Sequence, residues 1–163
     1  MQIDSQNFST HGNEKELAQY VHQLCMEIGL DSAMYSPMEL PGFAEHPDYM
    51  PGHNLEDRYN VTAVMRGKKD KNTLMLMAHS DTVQFGDLKN WELSPTSGAI
   101  KDGRVYGRGA GDDKSGIAVM LFLAKLLREE GFEPKENLLL NAYCDEEYGG
   151  SHGAPAAVLR DPC

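Results

Sequence analysis

Cysteine is scarce and scattered. Cys25, Cys144 and Cys163 are the only three, far apart and in no C-x-x-C pair. That pattern excludes a disulfide framework and fits free thiols in a reducing compartment. Basic charge is short as well: 15 Lys and Arg stand against 25 Asp and Glu, for a formal charge of −10. No segment is basic enough to track phosphates, which argues against a nucleic-acid partner. The longest apolar run, Ile117 to Ala124, is far too short to span a bilayer. The opening residues, MQIDSQNFSTHGNEKEL, contain neither a basic n-region nor an apolar h-region, so no signal peptide is expected. These absences lead to the expectation of a soluble, cytoplasmic protein with no membrane or nucleic-acid partner.

What is present reads as one domain. A chain of 163 residues, 40% of them hydrophobic, can bury roughly 70% of its unfolded surface. Asn13 followed by Glu16 predicts a capped helix, with Leu17, Val21, Leu24 and Ile28 on one face and Gly29 as its end. Pro37, Pro41, Pro47 and Pro51 punctuate residues 36–57 too often for regular structure. Tyr59 to Met65 reads as a strand, KKDKN as a polar turn, and Thr73 to Ala78 as a buried strand. Ser97 to Val105 reads as a hairpin turning at Asp102-Gly103. Ser115 to Glu130 is a helix apolar almost all round, predicted to be deeply packed, and Asn137 to Tyr143 is a further buried strand. The alternation predicts an α/β fold: a mixed, mostly parallel sheet with helices on both faces.

In such sheets ligands bind outside the carboxyl ends of the strands. Two polar clusters follow buried strands directly, His79-Ser80-Asp81 and Asp145-Glu146-Glu147, while G107-R-G-A-G-D-D-K-S-G116 opens the apolar helix. Residues two apart on an extended chain point the same way, so Asp81 can stay beside the imidazole of His79. A metal-ligating histidine commonly has its second nitrogen anchored in this manner. Asp112 and Asp113 precede a helix, where one aspartate suffices as a cap and the second is surplus. Two adjacent carboxylates would repel phosphate, and no G-x-x-x-x-G-K-[ST] pattern is present, so a divalent cation suits this loop better. Glu146 and Glu147, being adjacent, project differently; one can bind metal while the other moves protons.

The three segments AHSDTV at 78–83, GRGAGDDKSG at 107–116 and DEEYGGSHGA at 145–154 together resemble the zinc-dependent M20 metallopeptidase family. That family includes acetylornithine deacetylase, succinyl-diaminopimelate desuccinylase, aminoacylase and related carboxypeptidases and dipeptidases. The resemblance implies hydrolysis of an amide bond in a small peptide or N-acyl amino acid. It implies two divalent metal ions, zinc first, with cobalt or manganese accepted by the same donors. His79 would bind one metal with Asp81 orienting it. Asp112 would bridge both metals, with a cis peptide after it. Glu146 would be the general base and Glu147 a ligand of the second metal. Asp113 and Lys114 match the wording without a chemical assignment. His11, His22, His46, His53 and His152 read as ordinary loop or surface histidines. The related M28 aminopeptidases share much of this pattern, and a non-catalytic binding module on the same scaffold is the third reading.

The family pattern also extends past residue 163. It continues with another carboxylate ligand, an inserted lid or dimerisation domain, and a returning segment with a final histidine. The resemblance therefore implies that residues 1–163 are an incomplete N-terminal part of a catalytic domain from a longer, homodimeric enzyme. His79 and Asp112 would serve one metal, Asp112 and Glu147 the other, where catalytic zinc usually has about three protein ligands. Weak zinc binding and little turnover are the expectation for this chain alone.

Overall fold

The computed structural model describes residues Met1 to Cys163. In chain order the elements are α1 (Lys15–Glu27), β1 (Asp31–Tyr35), β2 (Asn60–Met65), β3 (Lys69–His79), β4 (Ala99–Lys101), β5 (Arg104–Tyr106), α2 (Lys114–Glu129), β6 (Glu136–Tyr143) and α3 (Gly153–Arg160). The central sheet has the order β1-β2-β6-β3. Val61, Ala63 and Met65 of β2 alternate toward one face, in register with Ala142, Leu140 and Leu138 of β6. There they meet Leu17, Ala18, Val21 and Cys25 of α1 and Ile117, Met120 and Ala124 of α2 in the main core. On the other face α3 packs its Ala156 against Phe43 and Leu55 of the long loop, and Asn60 of β2 donates to the Gly153 carbonyl at 2.7 Å.

The α/β class with helices on both faces is as expected, but the balance of strand directions is not mostly parallel. β1–β2 and β2–β6 are antiparallel, and only β3–β6 is parallel. One antiparallel pair comes from β1, a strand the sequence did not announce, and the other from β2, which runs opposite to β6. β1 follows α1 and lies antiparallel along β2 after the long loop of residues 36–59, a pairing that needs no crossover helix. KKDKN is not a turn. The reversal sits at Gly67-Lys68, and Lys69 already starts β3 with an irregular register against Glu136 and Asn137. A side chain on Gly67 would collide with the Glu136 backbone, which is why the chain can close there only with glycine. β3 is the outer strand rather than a buried one, and Leu74 remains 53% exposed.

α2 begins at Lys114, and its burial is one-sided. Ile117, Met120 and Ala124 enter the core while Val119 and Phe122 are 66% and 67% exposed. α1 starts without the expected cap: Asn13 donates instead to Asp4, and Glu14 takes the cap position with no capping bond. Its side chain turns inward toward Arg58, so a tertiary contact overrides the local signal. The β4–β5 hairpin does turn at Asp102-Gly103. Both residues have positive φ, 51° and 72°, as a two-residue turn matched to strand twist requires.

Candidate metal centre

Parallel pairing of β3 with β6 puts His79 in register with Tyr143, and Ser80 N–H continues the ladder to the Tyr143 carbonyl at 2.7 Å. The two polar clusters therefore leave the sheet at the same rim. The third arrives because the first turn of α2 packs on β3 at Ala78. His79, Asp81, Asp112, Glu146 and Glu147 are thus brought together from three separate segments.

His79 is buried, with Nδ1 facing the Asp81 carbonyl at 3.0 Å and the Asp81 carboxylate at 3.5 Å. The closer anchor is thus the Asp81 backbone, a refinement of the expected carboxylate contact. Its Nε2 points to Asp112 Oδ1 at 2.8 Å, with Glu146 Oε2 at 3.9 Å. Ligand atoms of His79, Glu146 and Glu147 all lie within 4.8 Å of one another. Burial disfavours a charged imidazole here, yet the bonds to Asp81 and Asp112 and the charge of Glu146 outweigh it and lift the His79 pKa to about 10. Burial raises Glu147, reinforced by Asp112 and Asp81 and opposed by the Val83 N–H at 3.2 Å and by His79.

The paired aspartates divide the work. Asp113 caps α2 by accepting from Gly116 N–H at 3.1 Å, which leaves the exposed Asp112 carboxylate to face His79. The Asp112–Asp113 peptide is cis. Lys114 is buried and donates to the Ile3 carbonyl at 2.7 Å, so it anchors the N-terminal segment rather than a ligand. Burial holds its pKa below the usual lysine range.

Asp81 does more than stand behind His79. Its fully buried carboxylate accepts from Glu146 N–H and Glu147 N–H, each at 3.0 Å, and from Asn7 Nδ2 at 2.6 Å. Burial would raise its pKa, but these bonds and the His79 contact keep it below the usual carboxylate range. Asp145, the first residue of its polar cluster and without an expected role, is a second buried hub with positive φ of 61°. It accepts from Asn7 Nδ2 at 2.9 Å, His53 Nδ1 at 2.8 Å, His152 Nδ1 at 2.6 Å and the Arg58 guanidinium. His53 and His152 are therefore not loop histidines of the ordinary kind. Both are tied at Nε2 to backbone carbonyls, of Phe8 and Met50.

The ligand atoms of His53, Asp145 and His152 also lie within 4.8 Å, but Arg58 supplies the positive charge there. It is bonded to Asp145 and sits 3.4 Å from His53 Nδ1, so this cluster is a closed hydrogen-bonded network. The His79 cluster differs, because the far nitrogen of the imidazole is anchored and no lysine or arginine pairs with the carboxylates of Asp112, Glu146 or Glu147 that it faces. That donor set fits a divalent metal. Asn7 and Arg58 carry no signal in the sequence because nothing in local spacing connects them to Asp81 or Asp145.

The family profile described as Peptidase family M20/M25/M40 matches residues 75–161, more than half the chain. An uncharacterized metallohydrolase of Methanocaldococcus jannaschii is 36% identical over 159 residues, covering 94% of this chain and 36% of that protein. A succinyl-diaminopimelate desuccinylase of Wigglesworthia glossinidia brevipalpis is 41% identical over 86 residues, 53% of this chain and 23% of the relative. Among solved structures, an M20 family metallo-carboxypeptidase from Sulfolobus solfataricus superposes with a TM-score of 0.60 at 24% identity, over 80% of this chain and 25% of its own. The chain thus spans about a third or less of the relatives it matches.

Proposed function

The chain belongs to peptidase family M20/M25/M40, and from that premise we propose that it carries the first ligands and the proton-transferring group of a two-metal amide hydrolase. The observation that carries this reading is His79, with Nδ1 anchored on Asp81 and Nε2 turned to Asp112 at 2.8 Å. The family match sets the M28 aminopeptidases aside.

His79 and Asp112 would hold one cation, and Asp112 and Glu147 the second. Zinc is favoured, with cobalt or manganese compatible with the same donors. When bound, such cations acidify a water and polarise the substrate carbonyl. Glu146 is the general base: its carboxylate reaches into the cluster, takes the proton of the attacking water and returns it to the departing amine. Asp81 holds the backbone of Glu146 and Glu147 beside the imidazole, so base and ligand keep one geometry. The substrate class is a small peptide or an N-acyl amino acid, in line with the desuccinylase relative. Two protein ligands per metal fall below the three usual in catalytic zinc sites, so residues 1–163 form an incomplete domain with weak zinc binding and little turnover.

Zinc titration by calorimetry tests this. Binding should be detectable, lost in His79→Ala and Asp112→Asn, and unchanged in His46→Ala. Zinc binding indifferent to His79 would refute the site. Tight binding of two ions with turnover of acylated amino acids would refute the incompleteness.

A further inference from the structure

The N-terminal segment runs beneath the candidate centre. Asn7 N–H donates to the Thr82 carbonyl at 2.8 Å, and Thr82 N–H to the Ser5 carbonyl at 2.9 Å, so the backbone at Asn7 is pinned beside Asp81. Its side chain then has one direction to take. The amide nitrogen lies between two buried carboxylates, Asp81 Oδ2 at 2.6 Å and Asp145 Oδ1 at 2.9 Å, and its oxygen accepts from Arg58 Nη2 at 2.5 Å.

This is a demanding pattern: two donors toward anions and one acceptor toward a guanidinium, within a reach of two carbons. Only a side-chain amide has both functions, and glutamine is one methylene too long. Aspartate would set a third carboxylate between two others, and an apolar residue would leave Asp81, Asp145 and Arg58 each short of a partner. The two carboxylates that Asn7 joins sit on different halves of the centre. Asp81 stands behind the imidazole of His79 and accepts both glutamate N–H groups. Asp145 immediately precedes those glutamates, and its own position is set by His53, His152 and Arg58.

We propose that Asn7 is a positioning residue that locks the His79–Asp81 half of the centre to the Glu146–Glu147 half. This rests on the metal-centre reading given above for its functional consequence, though not for its geometry. Asn7 touches neither metal nor substrate; it sets the spacing between an imidazole and two glutamates contributed by separate strands. Partners behind metal ligands commonly alter metal affinity by ~10–100-fold when removed, and that is the size of effect expected here.

The test uses the whole chain with Asn7→Leu, the milder Asn7→Ser should the first not fold, and Asn141→Ala as a structural control. Asn141 is also a buried amide, bonded to Thr62 Oγ1 at 2.6 Å on the α3 side of the sheet. Amide hydrogen exchange without metal is the first readout, and zinc titration the second. In the Asn7 variants the amides of Glu146 and Glu147 should exchange roughly tenfold faster, as when a bond closing local structure is lost. Zinc affinity should fall by ~10–100-fold. The control should lower the melting temperature and leave both readouts at the wild-type level. Unchanged exchange at Glu146 and Glu147 in a folded Asn7 variant would overturn the proposal, as would equal effects in the control. Wild-type protein with no His79-dependent zinc binding would defeat the functional reading instead, while exchange at the two glutamates still decides the role of Asn7.

Discussion

Replacing Glu14 by glutamine should make the protein more stable at neutral pH, although it removes one partner of a buried ion pair. Glu14 is completely buried, both its carboxylate oxygens lack a hydrogen-bond partner, and Arg58 Nη2 is 3.6 Å away. Arg58 is already committed to Asp145 and Asn7, so its charge only partly offsets the desolvation of a second carboxylate. Burial first, with the charges of Asp81 and Asp145 adding to it, lifts the Glu14 pKa from 4.5 to about 7 despite Arg58. Below pH 4.5 the group is protonated in both folded and unfolded chains and costs nothing. Between 4.5 and about 7 the unfolded chain ionises while the folded one keeps its proton, so stability falls as pH rises. Above 7 the full penalty persists. At 1.36 kcal/mol per pH unit it amounts to about 3 kcal/mol, a large part of a typical 5–15 kcal/mol. Glutamine mimics the protonated form. Urea unfolding of wild type and Glu14→Gln, followed by circular dichroism at pH 4.5 and pH 8, measures the difference directly. The two proteins should coincide at the lower pH and diverge by about 3 kcal/mol at the higher, with the variant ahead. A variant less stable than wild type at pH 8 would show that Arg58 holds the carboxylate ionised, and the reasoning would fail.

Two further outcomes test the fold. Leu140 is 3% exposed in the main core and Phe122 is 67% exposed on α2; Leu140→Ala should cost about 2–5 kcal/mol in urea unfolding and Phe122→Ala about 0.5 or less. Equal losses would contradict the one-sided burial of α2. Gly103 has φ of 72° in the β4–β5 turn, so Gly103→Ala should cost about 1 kcal/mol, seen as a drop of roughly 2–4 °C in melting temperature. No drop would mean the turn has another conformation.

Legibility followed locality. His79, Asp112, Glu146 and Glu147 could be found because each sits in a short segment at a strand end or helix start. β2 and β6 could be found because they are nearly continuous apolar runs. β1 could not: DSAMY is only five residues long with no alternating apolar pattern, and it is a strand because residues 60–64 pair with it. α3, GAPAAVLR, has glycine and proline in its first turn and mostly small side chains, and it is held by Ala156 against Phe43 and Leu55. Asn13 lost its capping role because its neighbour Glu14 was drawn into the interior. The supporting network of Asn7, Arg58, His53 and His152 is the part no spacing rule reaches, since its members meet only when the sheet closes. His152 shows the hazard: within a glycine-rich stretch it looked like loop decoration, yet it is fully buried against Asp145.

The bond from Asn7 to Asp145 spans 138 positions. During synthesis at about 5–20 residues per second, some 7–28 s separate the emergence of the two partners. Until Asp145 emerges, Asn7 and Arg58 lack the carboxylate that joins them, and the long-range closure that brings it in is the slow kind. The order in which the ribosome delivers the chain therefore makes the centre one of the last features to form, after β1, β2 and the first two helices have had time to pack.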